Sequence, residues 1–509
     1  MSETYLKKIL NARVYDVAQE TALDYASLLS RRLQNDIWLK REDLQPVFSF
    51  KLRGAYNKIA SLTPAECEKG IIAASAGNHA QGVALAASQM NVKATIVMPR
   101  TTPSIKVKAV QALGGKTHLV GDTYDDAYAY AMDVVKERHL TFIHPYDDPD
   151  VIAGQGTVAM EILHQRRATI DAIFVPVGGG GLIAGIAAYV KALRPEIKII
   201  GVEPDEAPCM YTALQKKRRV VLKQVGIFAD GVAVRQVGKE PYRIARKYVD
   251  EVMLVTTDEI CAATKDIFDD TRGMVEPAGA LAVAGIKKYI AERGVTGQTL
   301  IAINSGANMN FDRLRHIAER AEIGERTEAL LAVTIPEKPG SFLRFCKLLG
   351  RRAITEFNYR YSEKSQAQVF AGVRLADGND ERKILLTELK EDGYAVVDLT
   401  DNEMAKLHIR YMVGGHAPAA LSNELIYRFQ FPERPGALQK FLTSMGRRWN
   451  ISLFHYRNHG AAYGRVLVGI QVPVSDRKRF GEYMDKLGYV YWKEMDNPAY
   501  ELFLGNGGD

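Results

Sequence analysis

The stretch Ala172-Ile173-Phe174-Val175-Pro176-Val177-Gly178-Gly179-Gly180-Gly181-Leu182 decides how this chain is read. Its apolar run has no period-two alternation, as in a strand covered on both faces, and the segment Leu182 to Val190 that follows the glycines is apolar and helical in length. The interval between Asp171 and Lys191 holds nineteen uncharged residues, enough to cross a bilayer, but Pro176 and five glycines divide it into a buried strand, a loop and a buried helix. Working outward, similar runs appear at Gly70-Ile71-Ile72-Ala73-Ala74, Ala94-Thr95-Ile96-Val97-Met98, Ile197-Lys198-Ile199-Ile200-Gly201-Val202 and Leu300-Ile301-Ala302-Ile303. Strand followed by helix, repeated from about Ile71 to Ser305, predicts an α/β domain with a mainly parallel sheet. In such sheets ligands bind beyond the carboxyl ends of the strands.

Three polar or glycine-rich segments fall directly after these runs: Ser75-Ala76-Gly77-Asn78-His79, Gly178-Gly179-Gly180-Gly181-Leu182 and Ser305-Gly306-Ala307-Asn308. All three are expected on one side of one sheet. A glycine loop at a helix N-terminus makes a phosphate cradle, since no side chain blocks the amides and the helix dipole favours an anion. Gly179, Gly181 and Ala184 also satisfy a dinucleotide pattern with Glu203 as its acid, and a tight turn packing helix on sheet is the plainest alternative. In the first segment the amides and the Ser75 hydroxyl suit a carboxylate and Asn78 suits a ring oxygen, while a helix cap is the ordinary use of either residue. His79 reads as a structural histidine.

Upstream lies Ser49-Phe50-Lys51-Leu52-Arg53-Gly54-Ala55-Tyr56. Lys51 is flanked by apolar residues, and in a partly dry pocket its ammonium would be disfavoured and its pKa lowered. A neutral amine can form a Schiff base with an aldehyde. Taken alone, a surface lysine at a helix start explains the same residues.

Composition bounds the alternatives. A chain of 509 residues exceeds one compact core, and about two to four domains are expected. Its apolar (47%) and charged (25%) fractions are ordinary for a globular protein, and a net charge of +7 with interspersed signs gives no footprint for nucleic acid. The Lys216-Lys217-Arg218-Arg219 run reads as a solvated helix end. Cys67, Cys209, Cys261 and Cys346 are far apart and form no metal-ligand spacing, so they read as reduced thiols in a cytoplasmic protein with no metal. The N-terminal residues, with an early acid and no apolar core, fit neither a signal nor a transit peptide.

Taken in order and spacing, Ser-Phe-Lys-x-Arg-Gly-Ala, Ser-Ala-Gly-Asn-His, Gly-Gly-Gly-Gly-Leu and Ser-Gly-Ala-Asn resemble the pyridoxal-phosphate-dependent threonine ammonia-lyases, or threonine deaminases. The resemblance implies a fold-type-II, tryptophan-synthase-β-like catalytic domain and favours a phosphate-bearing aldehyde, pyridoxal 5'-phosphate, over a dinucleotide. It places the Schiff-base lysine on Lys51, the cofactor-hydroxyl contact on Asn78, the phosphate loop on Gly178, Gly179, Gly180, Gly181 and Leu182, and the pyridine-nitrogen contact on Ser305. Ser75 and Asn78 would hold the substrate carboxylate. The substrate implied is L-threonine, with L-serine possible and 2-oxobutanoate and ammonia as products. Rivals are a serine dehydratase or threonine synthase of the same fold, and a sensor that has lost catalysis.

The last third contains an internal repeat. Ile335-Pro336-Glu337-Lys338-Pro339-Gly340-Ser341-Phe342 recurs as Phe431-Pro432-Glu433-Arg434-Pro435-Gly436-Ala437-Leu438, and Ile354-Thr355-Glu356-Phe357-Asn358-Tyr359-Arg360 recurs as Ile451-Ser452-Leu453-Phe454-His455-Tyr456-Arg457. Each copy reads as a ferredoxin-like α+β unit, and the two are expected to extend each other's sheets. They resemble ACT-like amino-acid-sensing domains, with Gly340 and Gly436 marking two effector loops. A charged helical stretch, Arg313 to Arg326, is expected to join the parts with few core contacts. The expected bounds are 1–321 for the catalytic domain, 322–328 for the linker, and 329–402 and 424–495 for the ACT-like domains. The long members of the family are inhibited by isoleucine and relieved by valine, and a homotetramer is expected by analogy.

Overall fold

The computed structural model describes residues 2–336, 345, 348–349, 352, 354–359, 366–411, 423–432, 449–457 and 463–504. The chain divides into two units, Met1–Ile317 and Ala318–Asp509.

The first unit is built on two sheets. Ten strands supply them: β1 (Leu23–Tyr25), β2 (Asp36–Arg41), β3 (Ile71–Ala74), β4 (Ala94–Met98), β5 (Lys116–Leu119), β6 (Thr141–Phe142), β7 (Ala172–Pro176), β8 (Lys198–Pro204), β9 (Glu251–Val255) and β10 (Thr299–Asn304). The larger sheet has the order β1-β2-β10-β7-β8-β9 and the smaller one β5-β4-β3-β6. Every pairing is parallel except β1 with β2. Strands β3, β7 and β10 are buried along their whole length, which is why their sequences do not alternate. The expectation of one sheet is corrected here. β3 pairs with β4 and β6, so the Ser75 segment ends a strand of the smaller sheet, while the glycine loop and Ser305 end strands of the larger one. Apolar runs reveal strands and not their partners.

The helix Lys51–Ala60 lies between the helices Asn78–Gln89 and Pro149–Gln165. Glycines permit the approach. A Cβ on Gly82 would fall 2.9 Å from the Leu52 nitrogen, and one on Gly154 would fall 2.7 Å from the Arg53 carbonyl oxygen. Backbone atoms cannot step aside as a side-chain tip can. The helix is also tied down by charge. Arg53 donates through Nε to Glu42 Oε2 (2.7 Å) and through Nη2 to Glu161 Oε2 (3.0 Å), and Lys40 Nζ sits 2.6 Å from Glu161 Oε2. All four side chains are buried. Two cations and two anions cancel, and Thr21 adds a 2.6 Å hydrogen bond to Glu42. Burial lowers the Lys40 amine, and although burial also disfavours the charged Glu42, Arg53 and Lys40 outweigh it and hold that carboxyl below its ordinary value.

The second unit contains two antiparallel sheets of one topology. β11 (Glu328–Pro336), β12 (Ile354–Tyr359), β13 (Gln366–Arg374) and β14 (Ala395–Asp398) take the order β12-β13-β11-β14. β15 (Glu424–Pro432), β16 (Asn450–Arg457), β17 (Tyr463–Gln471) and β18 (Val490–Lys493) repeat it as β16-β17-β15-β18. The order and the helices Gly378–Glu391 and Arg477–Leu487 are those of the ferredoxin-like unit. The sheets remain separate, contrary to the expected extension. The copies meet through an apolar core that takes Leu330, Phe370 and Leu399 from the first and Ile426, Leu467 and Phe503 from the second. Asn402 and Asn497 each cap a short helix at 3.0 Å, and Asn402 Nδ2 donates to Asn497 Oδ1 (3.1 Å). Gly340 and Gly436 lie outside the described residues.

The stretch expected to be a poorly packed linker is the helix Arg313–Gly324, in which Ile317, Ala321, Ile323, Arg313 and Arg320 are buried. Few core contacts were expected of it, but Arg313 meets Asp230 and Arg320 meets Glu403.

Gly82→Ala is expected to destabilise the protein by about 1–3 kcal/mol through the clash with Leu52. Arg53→Met leaves two buried carboxylates facing one buried lysine and is expected to cost about 3–5 kcal/mol. Both are read from the chemical-denaturation midpoint, and an unchanged midpoint in either variant contradicts the packing or charge argument behind it.

Candidate active site

Lys51 is the first residue of its helix. The chain ahead of it runs beside the end of β10: Ser49 bridges Gly306, Phe50 N–H donates to the Ser305 carbonyl (3.3 Å) and Ala307 N–H to the Phe48 carbonyl (2.8 Å). Lys51 and Ser305, remote in sequence, are thereby held together. The Lys51 amine donates to the Pro145 carbonyl (3.2 Å), and burial lowers its pKa to about 8 against the opposing pull of Glu276.

The next residue, Tyr146, touches the glycine loop. A Cβ on Gly179 would lie 2.1 Å from the Tyr146 ring, and one on Gly178 would lie 2.9 Å from the Val232 Cα, so the loop is wedged between these residues and only glycine fits. Gly180, at φ 93°, begins the helix Gly181–Leu193 with no side chain capping its amides. Lys51 and the glycine loop therefore both meet one short turn, Pro145-Tyr146. That turn is braced by His144, whose Nδ1 accepts from the Tyr146 and Asp147 amides (3.2 and 2.8 Å) and whose burial lowers its pKa to about 4. Sequence reasoning did not single out Pro145, Tyr146 or His144, because neither a carbonyl nor a packing ring carries a motif.

Asn78 is not a cap. Gly77 holds the cap position, and the Asn78 amide turns to Glu276 Oε1 (Nδ2, 2.6 Å) and to Asn308 Nδ2 (Oδ1, 2.8 Å). Ser75 keeps its hydroxyl near the same loop, accepting from Gly77 N–H (3.3 Å), while its own amide donates to the Val97 carbonyl of β4 (3.0 Å). Ser305 Oγ donates to the Ala278 carbonyl (3.2 Å), a contact that a rotating hydroxyl can exchange. His79 Nε2 is paired with the Ile143 carbonyl (2.9 Å), and its Nδ1 meets no partner among the described residues, so the expected structural histidine is satisfied at one nitrogen. Glu203, the acid of the dinucleotide pattern, accepts from the Met210 and Tyr211 amides (both 2.8 Å) at the start of the helix Cys209–Gln215. It is thus engaged in capping a helix rather than open to a ribose.

An amine lowered by burial, a side-chain-free amide cradle, an amide and a hydroxyl fit an aldehyde that carries a phosphate, a ring oxygen and a ring nitrogen. Buried Ser49 Oγ, beside Gly306, has no partner among the described residues and leaves a further polar group at this edge.

These features and the sheet order define the class of pyridoxal-phosphate-dependent enzymes, whose family model matches residues 14–306. A second model, the C-terminal regulatory domain of threonine dehydratase, matches twice, at 319–409 and 415–504. Biosynthetic L-threonine dehydratase IlvA of Burkholderia multivorans is 58% identical over 99% of both chains, and that of Escherichia coli is 52% identical over 98% of this chain and 97% of its own. Among solved structures, the processed form of threonine deaminase isoform 2 from Solanum lycopersicum matches at 48% identity and TM-score 0.62 over 63% of this chain and 88% of its own. Serine racemase from Dictyostelium discoideum matches at 32% identity and TM-score 0.56 over 60% and 99%. The chain belongs to the biosynthetic threonine dehydratases, and pyridoxal phosphate is its cofactor.

The lowered Lys51 pKa gives a direct check. In cofactor-free protein, acylation of Lys51 is expected to rise with pH and level off with a midpoint near 8, because the amine is neutral above that value, whereas an ordinary lysine titrates near 10.5. Peptide mapping across a pH series reads both, and a midpoint near 10.5 contradicts the burial argument.

Proposed function

We propose that this chain deaminates L-threonine to 2-oxobutanoate and ammonia, that L-serine also enters the site, and that isoleucine inhibits and valine relieves this reaction through the C-terminal pair of domains. One observation carries the catalytic reading: the buried Lys51 amine donates to the Pro145 carbonyl, beside the Tyr146 ring that packs on the glycine loop, while the preceding Phe50 N–H is bonded to the Ser305 carbonyl. Pyridoxal phosphate, when bound, supplies a conjugated ring that withdraws electrons from the substrate α-carbon.

The chain's own residues divide the remaining work. Gly178, Gly179, Gly180, Gly181 and Leu182 present amides to the phosphate, and Asn78 presents its amide to the ring oxygen. Ser75 and Asn78 hold the substrate carboxylate. Lys51, half neutral at pH 8 and increasingly so above it, takes the α-proton. Ser305 offers a hydroxyl where a carboxylate would impose a positive charge on the ring nitrogen, and this weaker pull favours departure of the β-hydroxyl over return of the proton. Ala76 has no exchangeable proton with which to return it from the opposite face, so elimination is favoured over racemisation even though serine racemases share this fold.

The second unit fits an allosteric role because two copies share one core. Binding at one can then alter packing in the other. Inhibition requires isoleucine to favour one state over another by about 1–3 kcal/mol. A homotetramer is the assembly we expect.

The test is 2-oxobutanoate formation from L-threonine by the purified enzyme, with and without isoleucine. Turnover suppressed by isoleucine is expected, and a protein that holds its cofactor without deaminating threonine refutes the catalytic reading. Lys51→Ala is expected to reduce turnover by more than about 10³-fold with an unchanged circular dichroism spectrum. Near-normal turnover in that variant would remove Lys51 from its role.

A further inference from the structure

Glu276 stands at the cap position of the helix Pro277–Arg293, where a carboxylate ordinarily accepts from the first amides of its own helix. It makes no such side-chain bond. Its Oε1 instead accepts from Asn78 Nδ2, 198 residues away in sequence, at 2.6 Å. Two glycines keep this contact open: a Cβ on Gly306 would lie 2.8 Å from Glu276 Oε1 and 3.1 Å from Asn78 Nδ2, and one on Gly231 would lie 3.2 Å from the same carboxylate oxygen.

The other end of the Asn78 amide is also fixed. Asn308 Nδ2 donates to the Val47 carbonyl and to Asn78 Oδ1, each at 2.8 Å. The Val47 carbonyl can only accept, so it sets the orientation of Asn308. Asn308 then requires the oxygen of Asn78, and Glu276 requires its nitrogen. Turning the Asn78 amide over would set NH₂ against NH₂ at one end and oxygen against carboxylate at the other. One N–H of Asn78 remains after these bonds are counted.

From this polarity we propose that Glu276 is a positioning residue, which through Asn78 fixes an N–H donor, and not a carbonyl, toward the ring oxygen of the cofactor. The inference rests on the reading of Asn78 given above. A donor at that place stabilises an anionic ring oxygen, whereas a carbonyl would require the oxygen to keep its proton. Burial, and then Asp230, push the Glu276 carboxyl up to about 7 against Lys106, the Asn78 hydrogen bond and Arg313, and its charge in turn favours that of the Lys51 amine. The geometric assignment needs only an acceptor oxygen at this position.

The test uses the full-length enzyme stripped of pyridoxal phosphate and titrated with it. Glu276→Ala, which removes no helix cap, is expected to lower cofactor affinity by about tenfold and to move the visible absorption of the bound cofactor to shorter wavelength. Asn308→Ala leaves the Glu276 bond to Asn78 in place and is expected to retain the band, a readout that does not depend on whether the Glu276→Ala protein folds. Glu276→Gln keeps an acceptor oxygen and is expected to retain both affinity and band. An unmoved band in Glu276→Ala overturns the inference, as does a band displaced in Asn308→Ala as far as in Glu276→Ala, or a Glu276→Gln protein that behaves like Glu276→Ala. Since the readout is cofactor binding and its spectrum, these failures are distinct from an absence of threonine turnover by the unaltered enzyme.

Discussion

The catalytic unit depends on a buried group of four charges. Arg53 lies two residues after Lys51, and its guanidinium is held by Glu42 at the end of β2 and by Glu161 in the helix Pro149–Gln165, with Lys40 completing the balance. Taking these groups out of water is unfavourable, and their mutual attraction and hydrogen bonds largely offset that cost. What the arrangement supplies is direction. A guanidinium with two carboxylate partners admits few positions, so the helix that begins with Lys51 has a fixed axial placement. Gly82 and Gly154 then set its distance from the neighbouring helices. The Lys51 amine inherits its position from interactions that do not touch it.

The same economy of position holds on the far side of the site. Asn78 and Asn308 are joined to Glu276 and the Val47 carbonyl in a chain in which each donor has one acceptor. Hydrogen-bond polarity passes along it without any residue moving. Both ends of the pocket are thus preorganised, one by opposed charges and the other by a sequence of amides.

Much of this was legible before any coordinates. β4 was bounded correctly from its sequence, β3, β7, β8 and β10 to within two residues, and the segments that follow β3 and β10 meet through Asn78 and Asn308. Apolar runs report burial, however, and burial on both faces looks alike in either sheet, so the division into two sheets was hidden. Glu276 was hidden for a different reason. Followed by Pro277, it has the local appearance of a helix cap, and only the fold brings it to Asn78. Arg313 and Arg320 misled because charge suggests solvent, while their partners Asp230 and Glu403 are each 83 residues away in sequence.

The two C-terminal copies share a single apolar core, and each contributes a capping asparagine, Asn402 or Asn497, to one hydrogen bond across it. A dimer of identical chains must use the same residues on both sides of its axis, so any change is made twice. Here the duplicated halves lie in one polypeptide and each position can vary alone. The pair keeps the mutual support of a symmetric assembly while its halves are free to specialise, and a difference between two small, similar ligands can be written into one half without altering the other.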